Sequence, residues 1–324
     1  MTRRGPRWVV AALALPAALA LLAIVLPKVT GAAWDDTTDL IAGVSMTHIW
    51  GLVAVWACGL WLHTFVLRAS LPGLGTRRAL ALNLGGSSVS NVLPLGGAAG
   101  VGLNYAMLRS WGYTRTQISS FTALSNLVVA VVKSLIAVAG LVALVRMPTV
   151  AAGISMRPLR IGEVVLSGVV ILAAASVLAG RSRWGRRQTN AAMTALRQTV
   201  ATGADAARRG WRLITVGGVG YPALQALLLW LCLTAVDARV TPVAALVTYA
   251  VERLITLVPL TPGGVGFVET AATATLVAFG ADPAAAAAGV ILFRVFSYLV
   301  EIPVGGIIAM VWLARRRHAV ASTA

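Results

Sequence analysis

The chain has 324 residues, of which 58% are hydrophobic and only 11% are charged, and its mean hydropathy is +0.85. So apolar a composition excludes a soluble globular domain and indicates a membrane protein with several spans. The net charge of +17 does not indicate a nucleic-acid-binding protein, because the basic residues, nearly all arginine, cluster in short loops between apolar segments, as cytoplasmic loops do.

The first apolar segment follows Arg3, Arg4 and Arg7, a charge pattern that signal peptides and first transmembrane helices share. It extends from Trp8 to Leu26, which is longer than the core of a signal peptide, about 7–15 residues. We therefore predict a transmembrane helix here.

Six segments are long enough to cross a bilayer, which takes about 20 helical residues. In chain order they are about 8–27, 48–67, 118–145, 161–180, 213–236 and 284–313. Two further apolar segments, 79–110 and 241–280, are interrupted by Pro and Gly, and we predict that each is a re-entrant hairpin of two half-helices. The expected fold is an all-α polytopic membrane protein.

The two interruptions repeat one motif. Pro94-Leu95-Gly96-Gly97-Ala98-Ala99-Gly100-Val101-Gly102 returns as Pro259-Leu260-Thr261-Pro262-Gly263-Gly264-Val265-Gly266. Broken apolar segments at corresponding places in two halves of a chain are typical of transporter binding sites. We predict a first repeat at about 48–145 and a second at about 213–313.

A long basic segment, 181–212, separates the repeats. Its apolar residues are spaced among arginines, loosely as on an amphipathic helix, so we predict a basic cytoplasmic loop that lies on the inner leaflet. The whole of 1–314 is expected to be one transmembrane domain, and 315–324 a basic cytoplasmic tail.

The loop charges predict the orientation. With the N-terminus inside and each hairpin returning to the side it enters from, most of the 27 basic residues fall in cytoplasmic loops, which the positive-inside rule favours. Both termini are then cytoplasmic in the inner (plasma) membrane, and the two hairpins enter from opposite faces as an inverted-topology repeat. The alternative, two full kinked spans, would place the basic segment outside.

Few charged residues lie within apolar segments, where charges are costly and usually functional. The candidates that we take from them are Lys133, Glu252, Arg253, Glu269, Arg294 and Glu301. Most of them surround the second motif, whose residues Pro262, Gly263, Gly264 and Gly266 allow close backbone approach and precede a half-helix with a positive N-terminal end.

This pattern predicts an anion-binding pocket in which Arg253 and Arg294 donate to a phosphate. Glu269 would pair with one arginine or couple transport to protons, and Lys133 and Glu301 are further candidates. In the alternative, purely structural interpretation, Arg253 pairs with Glu269 and Arg294 pairs with Glu301.

The first hairpin carries small polar residues instead of charges. Asn91 and Gly97 are its candidate binding residues, although a stripe of small residues also suits close helix packing in lipid. The sequence contains no recognisable catalytic, metal-binding or nucleotide-binding motif, so we predict a transport protein without enzyme activity, metal or cofactor.

The second motif resembles that of the lysylphosphatidylglycerol synthase transmembrane-region family. The matching residues are Arg253, the Pro-Gly-Gly-Val-Gly of 262–266, Glu269, Gly280 and Arg294. The first motif departs from the family pattern, because the acid and base that many members carry in that hairpin are absent. The resemblance implies lipid translocation, and we do not expect lipid aminoacylation, which in larger members belongs to an additional aminoacyl-transferase domain.

Three functions follow as hypotheses. The leading one is a lipid flippase or lipid transporter for an anionic or phosphate-bearing lipid, including a polyprenyl phosphate. The second is an ion-coupled transporter of a small anion. The third is a non-transporting membrane partner of a lipid- or glycan-modifying enzyme, for which the basic segment would matter most.

Overall fold

The computed structural model describes residues 7–93, 96–145, 183–256 and 261–321. Every regular element in these ranges is helical, which confirms the predicted all-α class. The first half contains α1 (Arg7–Thr30), α2 (Trp34–Ala42), α3 (Met46–Ser70), α4 (Thr76–Val92), α5 (Gly96–Ser110) and α6 (Arg115–Val145). The second contains α7 (Arg183–Ala235), α8 (Pro242–Ile255), a short 3₁₀ turn (Pro262–Gly264), α9 (Phe267–Ala278), α10 (Pro283–Arg294), a π turn (Val295–Leu299) and α11 (Glu301–Ala321).

Four stretches of described helix are long and apolar enough to cross a membrane. They are Met46–Ser70, Arg115–Gly140, Val200–Ala235 and Pro283–Arg316. A fifth crossing is formed if Ala18–Thr30 and Trp34–Ala42, which meet at 103°, count as one broken span. The chain is therefore a multi-pass membrane protein, as predicted, while the predicted span 161–180 lies outside the described residues.

The bend between α1 and α2 has a local cause. Gly31 has a φ of 77°, a left-handed conformation that glycine adopts without steric cost. Its N–H donates to the carbonyl of Pro27 at 2.8 Å, which closes the last turn of α1. The chain can then restart at Trp34 in a new direction.

Both predicted hairpins are broken helices. In the first, α4 has 17 residues and α5 has 15, and in the second α8 has 14 and α9 has 12. Each is shorter than the roughly 20 residues that a full crossing needs. The two helices of each hairpin pack against each other, so the Pro/Gly motifs interrupt the helices where the sequence indicates.

The two halves of the chain pack against each other through corresponding helices. The leading helices α3 and α7 pack against each other. The first half-helix of one hairpin, α4, packs against the closing helix α11 of the other half, and α8 packs against the closing helix α6 of the first half. Each hairpin is thereby enclosed by a helix from the opposite half.

The basic segment differs from the prediction. Residues 183–212 are not a separate loop or surface helix, because α7 is one helix of 53 residues that continues directly into the predicted span 213–236. At ~1.5 Å per residue α7 is ~80 Å long, far more than the ~30 Å hydrocarbon core. Ala206 is buried, so the helix already packs against its neighbours before the predicted start of the span at residue 213.

Candidate functional site

The second break is a tight glycine turn. Gly263, Gly264 and Gly266 all have positive φ values, of 59°, 73° and 89°, which other residues adopt only with strain. A Cβ on Gly263 would lie 1.9 Å from the ring of Tyr298. The close backbone approach that the sequence predicts therefore exists, and the group approached is the side chain of Tyr298. The backbone of Pro262 begins this turn.

Glu269 closes the N-terminus of α9. One carboxylate oxygen accepts from the N–H of Gly266 at 2.7 Å, and the other accepts from Nε of Arg294 at 2.7 Å. The residue is only 3% exposed. A carboxylate at this position also interacts favourably with the positive end of the helix dipole.

Arg294 joins several segments of the second hairpin. Besides the bond to Glu269, its Nη2 donates to the carbonyl of Gly263 at 2.6 Å, and its Nη1 lies 3.9 Å from a carboxylate oxygen of Glu252. The guanidinium lies over the ring of Tyr298, 4.6 Å from its centroid. One buried side chain thus holds α8, the glycine turn, α9 and the π turn together.

Arg253 is paired within its own helix. It makes a two-point ion pair with its neighbour Glu252 and lies over the ring of Tyr249, 4.9 Å from the centroid. The sequence-based pairing is therefore wrong in both parts: Arg253 pairs with Glu252 rather than Glu269, and Arg294 pairs with Glu269 rather than Glu301. We call Glu252, Arg253, Glu269 and Arg294 the ion cluster.

The π turn explains part of this difference. It occupies Val295–Leu299, directly between Arg294 and Glu301, and its wider turns change which residues share a helix face. Glu301 is buried and lies within hydrogen-bonding reach of Ser87 in the first hairpin instead. Glu301 and Arg294, which are seven residues apart, would share one helix face only if the helix between them were a regular α-helix.

The ion cluster therefore satisfies itself. The sequence predicts that Arg253, Arg294 and the N-terminus of α9 bind an anion. In the structure their N–H groups donate to the carboxylates of Glu252 and Glu269 instead. A buried arginine with paired N–H groups has little left to give a ligand. The arrangement makes the cluster a structural clamp around the second break.

A cavity with a polar lining lies at the first hairpin. A cavity of about 290 Å³ is enclosed by α3, α4, α5 and α6. Its lining is mainly amide and hydroxyl groups and one imidazole, together with glycines and a few apolar residues; the polar lining residues are His63, Asn83, Ser87, Ser90, Asn91, Asn104, Thr122, Ser125 and Asn126. We call this the polar cavity, and two of the predicted residues, Asn91 and Gly97, line it.

A narrower space of about 50 Å³ adjoins the polar cavity and shares His63 and Val129 with it. Lys133 and Arg253 line this side cavity. Nζ of Lys133 lies 3.5 Å from the hydroxyl of Thr256, and no carboxylate of the described chain forms an ion pair with it. Lys133 thus has no ion-pair partner among the described residues and is open to a ligand in the side cavity.

The two hairpins are directly connected. Tyr298, which contacts the glycine turn, donates its hydroxyl to the carbonyl of Asn91 at 2.7 Å. Tyr298 is not among the predicted site residues, and its position four residues after Arg294 in an apolar segment is the only signal in the sequence. Asn104 and Ser125 are not among them either, since small polar residues in a membrane helix fit packing equally well.

Metal binding has no structural support in the part of the chain described here, where no three His, Cys, Asp or Glu side chains come together as a metal site would need.

Comparison with known proteins identifies the family. The model of the lysylphosphatidylglycerol synthase transmembrane region matches residues 8–305, and no curated protein matches the chain. The match covers nearly the whole sequence and includes both hairpins and the ion cluster. This chain belongs to the lysylphosphatidylglycerol synthase transmembrane-region family.

Proposed function

We propose that this protein moves a phosphate-bearing lipid between the two leaflets of the inner (plasma) membrane. The headgroup enters the polar cavity, while the acyl or prenyl chains stay in the bilayer. The ion cluster holds the second hairpin in shape and does not contact the headgroup. Membrane lipids are then the partners of the protein, and no catalytic step is involved.

One observation carries this proposal: a polar cavity that opens sideways onto an apolar surface. Its exposed lining residues, Gly97, Val101 and Asn126, belong to α5 and α6, so its mouth lies between these helices. Exposed apolar side chains flank the mouth; they are Val101 at 43%, Tyr105 at 40%, Leu127 at 60% and Val131 at 49% exposure. Such a surface faces lipid in a membrane. A lipid can reach this cavity without leaving the bilayer.

The chemistry of the lining suits a phosphate-bearing headgroup. Hydroxyl and amide groups bond phosphate oxygens and neighbouring hydroxyls. The carbonyl oxygen of the Asn104 side chain is buried and has no hydrogen-bond partner, so a donor on the ligand would satisfy it. Lys133 in the side cavity adds a positive charge. These features favour a headgroup with both an anionic and a hydrogen-bonding part.

The corresponding helix contacts between the two halves support an alternating-access mechanism. If the halves are inverted repeats, rocking one against the other opens the same cavity to each side in turn. The pairs α4–α11 and α6–α8 are the contacts that such a two-fold relation equates. In the proposed orientation both termini lie in the cytoplasm.

A glycine pair provides the test. A Cβ on either Gly97 or Gly102 would meet no atom within 4 Å, both residues lie on α5, and only Gly97 lines the polar cavity. We expect Gly97→Leu to obstruct the mouth and slow the flipping of a fluorescent phosphatidylglycerol in proteoliposomes by about tenfold or more, equivalent to ~1.4 kcal/mol in the barrier. Gly102→Leu should flip lipid as the parent chain does.

The same variants separate lipid transport from transport of a soluble anion. Equal flipping by both variants would refute the cavity as the lipid path. If the parent chain flips no lipid but accumulates labelled phosphate, and Gly97→Leu abolishes that uptake, the small-anion hypothesis is correct instead. Thermal unfolding of each variant in detergent excludes a folding defect as the cause.

Lys133 should determine charge preference. A hydrogen bond to a charged group contributes about 1.5–3 kcal/mol, so Lys133→Met should reduce the flipping of phosphatidylglycerol by about tenfold and leave the zwitterionic phosphatidylcholine nearly unchanged. Lys133→Arg keeps the charge and should retain most activity. A fall by the same factor for both lipids would mean that Lys133 has a structural role only.

A further inference from the structure

A third, separate cavity lies at one end of the first hairpin. It has a volume of about 560 Å³ and is formed by the start of α4, the end of α5 and the C-terminal part of α11. Four arginines and two tryptophans line it: Arg77, Arg78, Trp111, Trp312, Arg315 and Arg316. We call this the basic cleft. It shares no lining residue with the polar cavity.

The positive charge of the basic cleft is not neutralised within the described chain. No acidic residue lines the cleft, and none of its four arginines forms an ion pair with a described residue. The side chains of Arg77, Arg78, Arg315 and Arg316 are all exposed. Four adjacent uncompensated arginines create a strong preference for an anion.

Two tryptophan rings hold two of these arginine side chains in place. Arg78 lies over the ring of Trp111, 5.2 Å from its centroid, and Arg316 lies over Trp312 at 5.8 Å. The indole N–H of Trp312 donates to the hydroxyl of Ser110 at 3.0 Å, which fixes that ring against α5. Tryptophans are enriched at the boundary between headgroups and hydrocarbon in membrane proteins.

The remaining walls are apolar. Ala81, Met107, Ile307, Ile308 and Val311 line the cleft, and Ile307 and Val311 are 57% and 46% exposed. A free phosphate ion would use the arginines and leave this apolar wall uncovered. A molecule with a phosphate at one end and a hydrocarbon chain at the other would cover both parts.

We propose that the basic cleft is a binding site for an anionic phospholipid. The phosphate lies among Arg77, Arg78, Arg315 and Arg316, and an acyl chain follows Ile307 and Val311 along α11. Lipid bound there bridges the first hairpin to the last helix. This site is separate from the transport path and exists whether or not the protein flips lipid.

Lipid retention by the purified full-length protein tests the site. The probe is phosphatidylglycerol in mixed detergent micelles, counted per protein by native mass spectrometry, with phosphatidylcholine as the comparison. Arg78→Gln together with Arg316→Gln should reduce the apparent affinity for phosphatidylglycerol by about tenfold or more, since each charge-assisted hydrogen bond lost is strong. The affinity for phosphatidylcholine should change little.

Arg212→Gln is the matched control. Arg212 also lies over a tryptophan, Trp211, at 5.6 Å, but it lies outside the cleft, so its replacement should leave retention unchanged. Equal retention by the double variant and the parent chain, or an equal loss in the control, would overturn the proposal. So would complete displacement of the lipid by millimolar inorganic phosphate, because the site would then bind phosphate alone. The assay measures no transport, so its failure is distinct from a failure of flipping.

Discussion

Replacing Arg294 with Met is expected to destabilise the protein by about 3–5 kcal/mol, the usual cost of removing one partner from a buried ion pair. The change leaves Glu269 charged and 3% exposed without its partner, and it frees the carbonyl of Gly263. It also removes the cation that lies over Tyr298, whose hydroxyl contacts the first hairpin. The free energy of unfolding in mixed micelles, titrated with a denaturing detergent, measures the effect.

A double-mutant cycle separates the pair from the rest of the site. Glu269→Gln keeps an acceptor for the Gly266 N–H but loses the charge that faces Arg294. If the clamp exists, Arg294→Met combined with Glu269→Gln should be more stable than the sum of the single changes predicts, by more than about 1 kcal/mol. Additive effects, or a loss below about 1 kcal/mol for Arg294→Met, would show that the residue is free for a ligand, as the sequence alone suggests.

Gly305→Ala is expected to cost about 1–3 kcal/mol, the usual penalty for overpacking a close contact. A Cβ at Gly305 would lie 1.9 Å from the backbone carbonyl oxygen of Leu84 in α4. Backbone cannot rotate away as a side chain can, so α11 and α4 must move apart. Because these helices join the two halves, we also expect slower lipid flipping in proteoliposomes.

The adjacent glycine is a nearly ideal control. A Cβ on Gly306 would meet nothing within 4 Å, and alanine is a better helix former than glycine by up to about 1 kcal/mol. Gly306→Ala should therefore be as stable as the parent chain or more so. Similar losses for both variants in thermal unfolding would argue against the close α4–α11 contact.

The sequence predicts the breaks in this fold well because their cause is local. The positive φ values of Gly263, Gly264 and Gly266 break the helix in the second hairpin. In the first hairpin α4 ends at Val92 and Leu93 is extended, as expected for the residue before a proline. Arginine and glutamate inside apolar segments are equally visible, since only buried partners stabilise them there. These features need no knowledge of which helices meet.

The partners of those charges could not be predicted, because they depend on packing. Glu252 and Glu269 are both near enough in the chain to serve Arg253, and the choice depends on how α8 meets α9. The π turn after Arg294 is not visible in hydrophobic periodicity. Small polar residues are ambiguous for a similar reason: Ser88 is buried and bonds the carbonyl of Gly85, whereas its neighbour Ser87 lines the polar cavity.

The self-pairing of the ion cluster has a consequence for membrane voltage. The charges of Glu252, Arg253, Glu269 and Arg294 cancel, so a movement in which the whole ion cluster shifts as one unit carries no net charge through the electric field. A potential of 100 mV contributes about 2.3 kcal/mol for each unit charge that crosses it, and for the ion cluster that work is zero. We therefore expect any dependence of the transport rate on voltage to come from charges outside the cluster, such as the headgroup, Lys133 or Glu301.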